Sequence, residues 1–337
     1  MSNLRTNYMG IELKNPIIVG ASPMTSNTDD LKKLEEAGAA AVVYRSLFEE
    51  QIQLEKAQLD DEITEYTERN AEMVTLFPRI DHAGPQEHLV KLRKARESVS
   101  LPMFASLNAI YEETWIEYAK LIQETGVNGL ELNFYTTPKD AEMTGASIEK
   151  LQLEILTKIK KVVSIPVSLK LSSFYSNPLN FVKLADATGA NGVVLFNRFY
   201  QPDIDITKEE ISTTHSLSNE AENRLPMRIA GLLYKNINAS ICCNSGIHSG
   251  NDVVKMILAG ADCVQVVSTI YQHKIPYLKM MLNDIEQWMA NRNYNSIEDF
   301  RGLLSKKKVK DPFVYQRVQY IDLLLNSNEI IKKYPVR

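Results

Sequence analysis

The sequence predicts an α/β protein of the (β/α)8 TIM-barrel class, a single domain with a C-terminal helical extension, and three observations predict it. First, four segments repeat one pattern, a helix that ends at a glycine and an apolar run a few residues later: EEAGAAAVVYRS (35–46), ETGVNGLELNFY (124–135), ATGANGVVLFN (187–197) and LAGADCVQVVST (258–269). Second, these runs are apolar throughout rather than alternately, as parallel strands covered on both faces are. Third, eight strands alternate with at least seven helical stretches. That many units in about 270 residues favours closure into a barrel over an open doubly wound sheet.

The first strand is NPIIVGAS (15–22), followed by the helical DDLKKLEEAG and by the second strand, AAAVVYRS. Residues 47–84 make a long irregular connection to LPMFASLN (101–108), the third strand, which is entered through proline. EETWIEYAKLIQETG leads to the fourth strand, GLELNFY, and SIEKLQLEILTKIKKVV to the fifth, IPVSLKLS (165–172). GVVLFN is the sixth, and a second long irregular connection, 198–225, follows it. ASICCNSG (239–246) is the seventh, and after NDVVKMILAG comes the eighth, CVQVVST. Gly38, Gly126, Gly189 and Gly260 stand where a helix C-terminus takes a left-handed residue, and Asn, Asp, Ser or Thr caps open several helices. Residues 271–300 read as a closing helix. The barrel is expected to occupy 1–304 and the extension 305–337. In the extension, Tyr315, Val318, Ile321, Leu324 and Leu325 form an apolar stripe that packs on the barrel or on a second subunit.

The 337 residues are 44% hydrophobic and 24% charged, the balance of a soluble globular protein. A net charge of −4 and a pI near 5.9 argue against a nucleic-acid partner. Lys306, Lys307, Lys308 and Lys310 read as a solvated turn. The N-terminus lacks a signal peptide's apolar core and no run reaches the roughly 20 residues that span a bilayer, so no membrane association and a cytoplasmic location are expected. Three cysteines suit a reducing compartment; Cys242 and Cys243, adjacent on a strand, point to opposite faces and do not bridge. No metal-ligand spacing occurs, so no metal is expected.

In a barrel, chemistry gathers where the strands end. Those positions read Ala21-Ser22, Arg45-Ser46, Ser106 with Asn108, Asn133, Lys170, Asn197, Asn244-Ser245-Gly246 and Ser268-Thr269, with Glu131 as the one carboxylate. Such a ring suits a neutral-to-anionic ligand rich in hydrogen-bonding edges and lacks the paired acids of a glycosidase. Strand ends seven and eight, small and glycine-rich, feed helix N-termini whose N–H groups hold anions. Ser245, Gly246 and Ser268 therefore read as a phosphate cup, against a plain tight turn. Lys170 lies in an apolar run, where an unpaired ammonium costs several kcal/mol. It implies either an anionic ligand or an internal salt bridge, for instance to Glu131. Asn133 and Asn197 are ligand groups or satisfied core amides.

KNPIIVGAS, LELNFYTTP, VSLKLS, NSGIHSGNDVVKMILAGADCVQVVST and NRNYNSIEDFRGLL together resemble the soluble, class 1 type of the dihydroorotate dehydrogenase family, over roughly residues 8–304. The resemblance implies FMN as cofactor, dihydroorotate as small-molecule substrate oxidised at a CH–CH bond to orotate in pyrimidine biosynthesis, and a homodimer. It also implies backbone groups around Ala21, Ser22 and Pro23 for the flavin, Lys170 beside its ring, and Asn133 and Asn197 on the substrate. The phosphate falls at Ser245, Gly246, Val267 and Ser268, and Ser46 and Asn108 complete the expected cofactor shell.

The chain departs from the family pattern at several of these places. The lysine after strand two is Arg45, expected near both catalysis and substrate and unable to give up its proton. The catalytic Cys or Ser falls at Thr136, followed by Thr137-Pro138 where the family has Pro-Asn. The Asn-x-Met-Gly-Leu-Pro-Asn loop is not recognisable in 70–80, with Asn70 nearby. The implied reaction removes a proton with Thr136 as base and passes a hydride to the flavin, with Lys170 and Arg45 stabilising the negative charge that develops. Two other readings stand beside it: a flavin-binding homologue acting on another substrate, and a phosphate-binding lyase or aldolase using Lys170 as a Schiff-base nucleophile. The electron acceptor, fumarate or NAD through a partner subunit, is not readable.

Overall fold

The computed structural model describes residues 3–54, 85–136, 140–198, 202–212, 216–325 and 332. Eight strands close a barrel in which every pairing is parallel: β1 (Ile17–Val19), β2 (Ala41–Phe48), β3 (Met103–Asn108), β4 (Gly129–Phe134), β5 (Val167–Leu171), β6 (Gly192–Leu195), β7 (Ser240–Asn244) and β8 (Cys263–Val266). β8 pairs with β1 and β6 with β7, so no edge is left open. The helices between them are α1 (Thr28–Glu36), α2 (Pro85–Ser98), α3 (Glu112–Gln123), α4 (Gly145–Val162), α5 (Pro178–Thr188), α6 (Arg224–Leu233) and α7 (Gly250–Ala259). After β8 come α8 (Ser268–His273), α9 (Tyr277–Asn291), α10 (Ile297–Phe300) and α11 (Val318–Leu325).

The expected punctuation is present. Gly38, Gly126, Gly189 and Gly260 all have positive φ, between 82° and 126°, where a Cβ would be strained. At Gly260 an added Cβ would also stand 2.6 Å from that of Tyr234. Asn27, Thr144, Asn177 and Ser249 cap α1, α4, α5 and α7 through their side chains, each such cap worth about 1 kcal/mol.

Two apolar layers follow from strand alternation. The outer one packs residues such as Leu31, Leu34, Ile122, Leu156 and Phe181 between strands and helices. The inner one fills the barrel's base with Ile18, Ala41, Val43, Phe104, Val194, Cys242 and Cys263, closed from below by Tyr8, Met9 and Leu13. Those last three come from an N-terminal hairpin, Thr6–Tyr8 against Ile11–Leu13. Gly129 and Gly192 admit this plug, since a Cβ at either would press on Met9 or Tyr8. The cysteines are as expected: Cys242 belongs to the inner layer, Cys243 to the outer, and all are free.

Some expectations change. The 198–225 connection contains an antiparallel hairpin, Asp203–Asp205 with Glu210–Ser212, and a 3-10 turn at Glu220–Asn223. The closing segment 271–300 is divided among the end of α8, α9 and α10, the last of which starts at a capping box of Ser296 and Asp299. In the extension, Tyr315 lies in a 3-10 turn and packs over Gly231, donating its hydroxyl to Leu304 O. Ile321, Leu324 and Leu325 are exposed on this chain. Most of 47–84, with Asn70 and the 70–80 segment, lies outside the described residues. Among the described residues no helix is long and apolar enough to cross a membrane.

Candidate active site

Alternation along the strands turns Gly20 and Ser22 after β1, Ser106 on β3, Glu131 and Asn133 on β4, Lys170 on β5, and Gln265 and Val267 at the end of β8 toward the barrel axis, above the apolar base. The lowest polar layer is a network across the lumen. Lys170 Nζ donates to Gln265 Oε1 at 3.2 Å and lies 3.5 Å from Glu131 Oε1. Gln265 Nε2 donates to Glu131 Oε2 at 2.5 Å. Lys170 is 7% exposed and the other two 1%. Of the two partners the sequence allowed Lys170, the internal one is present.

A second layer lies at the rim. Asn197 Nδ2 donates to Asn133 Oδ1 at 2.8 Å, so the two amides act as one unit that keeps the Asn133 NH2 and the Asn197 carbonyl for further contacts. Between the pairs Tyr44↔Ala105 and Leu47↔Leu107 a β-bulge sets Arg45 and Ser46 against Ser106 alone. The bulge places Ser46 Oγ 2.7 Å from Ser106 Oγ, the re-aiming that bulges beside active sites perform. Arg45 is half-buried, near enough to Tyr44 and His88 for its charge to act on both. Burial pushes the Tyr44 phenol up to about 12 against the pull of Arg45. Asn108 is half-buried at the end of β3, opposite Phe48.

Ser22 and Thr25 lock the turn after β1: Ser22 N donates to Thr25 Oγ1 and Thr25 Oγ1 donates to Ser22 O. Pro23 starts that turn and Ala21 borders the inner layer. The Ser22 hydroxyl is buried without a hydrogen-bond partner among the described residues. Gly20, which the sequence reading passed over, allows Val267 to lie inward, for a Cβ there would stand 2.9 Å from Val267 Cγ2.

The ends of β7 and β8 differ from expectation in one respect. The N-terminus of α7 is occupied by its own Asp252, whose Oδ2 accepts from His248 N, Ser249 N and Ser249 Oγ. Burial would raise the Asp252 carboxyl, but Lys255, Ser249 and the His248 N–H outweigh it and hold the group below its usual value. Gly250 is needed because a Cβ there would collide with Asp284 and Met281 O of α9. The donors that remain are further up. Among the described residues none accepts from the main-chain N–H of Gly246, Ile247, Val267, Ser268 or Thr269. Ser245 and Gly246, at φ 72° and 69°, curl the chain into a nest. Ser245 Oγ donates to Phe196 O, and Ser268 Oγ accepts from Ser218 N. Ser218 Oγ is itself 3.1 Å from His248 Nε2.

Thr136 is exposed and accepts from Gln152 Nε2 at 3.2 Å; Tyr175 donates to Gln152 Oε1 at 2.7 Å. Gln152 and Tyr175 are further residues the sequence reading missed. A glutamine 5% exposed on an otherwise apolar helix face was the available signal. Thr137 and Pro138 lie outside the described residues.

A closed parallel barrel that gathers amides, hydroxyls and a buried lysine at the C-terminal ends of its strands defines a (β/α)8 enzyme. Comparison with known proteins agrees and goes further. The chain belongs to the dihydroorotate dehydrogenase family, whose model matches residues 77–289, and is thus an oxidoreductase. It is 26% identical over 309 residues to a dihydroorotate dehydrogenase B (NAD(+)) catalytic subunit of Methanocaldococcus jannaschii, covering 89% of this chain and 97% of that one. To the corresponding subunit of Thermoplasma volcanium it is 28% identical over 312 residues, 91% and 100% of the two chains. To a dihydroorotate dehydrogenase A (fumarate) of Lactobacillus helveticus it is 26% identical over 319 residues, 91% and 99%.

The family is flavin-dependent in general, and the residues here fit a phosphorylated flavin. The nest and the α8 entry present unspent N–H donors, Ser22 has a buried hydroxyl to spare, and Lys170 supplies a cation from below.

Proposed function

We propose that this chain is an FMN-dependent oxidoreductase of the CH–CH class, with dihydroorotate as substrate and orotate as product. The observation that carries this reading is the buried Lys170 side chain below a rim of main-chain donors with no acceptor among the described residues, in a chain of this family. Gly246, Ile247, Val267 and Ser268 would hold the phosphate through their N–H groups, Ser22 would reach the ring system, and Ser46 and Asn108 would complete the shell. When bound, FMN supplies the hydride acceptor.

The protein's own groups do the rest. The Asn133–Asn197 pair, fixed by its shared hydrogen bond, presents one amide NH2 and one carbonyl to a ring with alternating donors and acceptors. Arg45, in the bulge, offers a permanent charge to a carboxylate. Thr136 is the base candidate. Its oxygen would take the substrate proton while its own hydroxyl proton passes to water, which its exposure allows, and the bond accepted from Gln152 stabilises the oxygen during the exchange.

The aldolase alternative needs Lys170 as a free amine. The nitrogen is instead engaged by Gln265 and Glu131, and the chain belongs to an oxidoreductase family, so the flavin reading is favoured. A visible spectrum of the purified protein, then anaerobic titration with dihydroorotate, tests the proposal. A yellow protein bleached by dihydroorotate is the expected result. A yellow protein that dihydroorotate leaves oxidised would reassign the substrate, and a colourless one that takes up no FMN would overturn the reading altogether.

A further inference from the structure

The network of Glu131, Gln265 and Lys170 has no obvious role in stability. A buried ion pair contributes less than apolar residues of the same volume, because both charges must leave water. Here it spans the lumen from β4 and β5 to β8, in a barrel whose base is otherwise apolar. The titratable groups facing it from below are Tyr8 and Cys263, and burial pushes both well up, so they stay neutral. Among the described residues the pair is therefore the charge at the floor of the site.

Its wiring is directional. Gln265 is oriented by having an ammonium on its carbonyl and a carboxylate on its NH2, so it bridges the two. Among the described residues Glu131 Oε1 makes no hydrogen bond, and it lies 3.5 Å from Lys170 Nζ. An ammonium has three donors, and the network occupies at most two.

We propose that Glu131, directly and through Gln265, is a positioning residue that fixes Lys170 on the barrel axis and moderates the pull of its charge on a reduced, anionic flavin above it. This rests on the FMN reading. A bare lysine would favour the reduced cofactor strongly. A carboxylate one contact away offsets part of that field, and so sets the potential at which the site gives up its electrons.

The test is the midpoint potential of the bound flavin, read against a reference dye, with FMN affinity from fluorescence quenching. Glu131→Gln keeps the shape and removes the charge. The reduced-to-oxidised ratio at fixed potential is expected to rise about tenfold, about 30 mV more positive for a two-electron couple. Should Glu131→Gln fail to fold, Glu131→Asp withdraws the carboxylate from Lys170, and a smaller shift of the same sign is expected. An unchanged or lower potential with FMN still bound overturns the proposal alone. Wild-type protein that takes up no FMN overturns the flavin reading, and this proposal with it.

Discussion

Gly20 and Val267 are fitted to each other across the β8–β1 seam: a methyl added to Gly20 would stand 2.9 Å from Val267 Cγ2 and 3.4 Å from Gln265 Oε1. Gly20→Ala therefore strains both the rim and the amide that holds Lys170. It is expected to cost about 1–3 kcal/mol in denaturant unfolding and to weaken FMN uptake, with Val267→Ala restoring both. Failure of Val267→Ala to rescue would show that the strain lies elsewhere.

Gly246 is a stricter case. With φ at 69°, an added Cβ would stand 2.5 Å from Asn223 N and 2.9 Å from Asn219 O, both backbone atoms that cannot swing aside. Gly246→Ala is expected to destabilise by roughly 2–4 kcal/mol and to abolish FMN binding, as read by thermal denaturation and flavin retention on gel filtration.

Acid stability should carry the signature of His88. This residue of α2 lies edge-on to Tyr44, and burial, reinforced by Arg45 and Lys91, pushes its imidazole down to about 4 from 6.5. The folded value is below the unfolded one, so neutral His88 supports the fold above pH 6.5. That support is lost as pH falls from 6.5 toward 4, by roughly 3 kcal/mol in all. Urea midpoints for the wild type and His88→Phe should converge over this window, the variant falling less steeply. Parallel curves would exclude His88 as the source.

The Thr136–Gln152–Tyr175 chain separates chemistry from architecture. Thr136→Ala is expected to slow flavin reduction by dihydroorotate about a hundredfold or more while FMN stays bound; unchanged single-turnover reduction would remove Thr136 from the mechanism. Gln152→Leu leaves the half-buried Tyr175 hydroxyl without its acceptor and should in addition lower stability by about 1–3 kcal/mol. A thermal midpoint equal to wild type would contradict that.

The barrel was legible because its cues are local. A glycine at a helix end and an apolar run behind it, seen four times, are properties of ten neighbouring residues, and the four glycines do take positive φ. The rim residues were legible for the same reason, since strand ends can be counted from those cues. Contacts between distant segments were not. That Asp252 would fill its own helix N-terminus, that Gln265 would bridge Lys170 and Glu131, or that Gly20 exists for Val267, depends on which strands become neighbours. The N-terminal hairpin was missed because its strands are three residues each, too short for a period to show.

That hairpin has a practical consequence. With Tyr8 and Met9 seated against Gly192 and Gly129, the vessel is stoppered at one pole, and anything that reaches Lys170 must come over the opposite lip. The leading end of the chain and the mouth face away from each other. A bulky fusion ahead of residue 3 should leave ligand traffic untouched, whereas a graft into the loop between β6 and α6 would sit in the doorway.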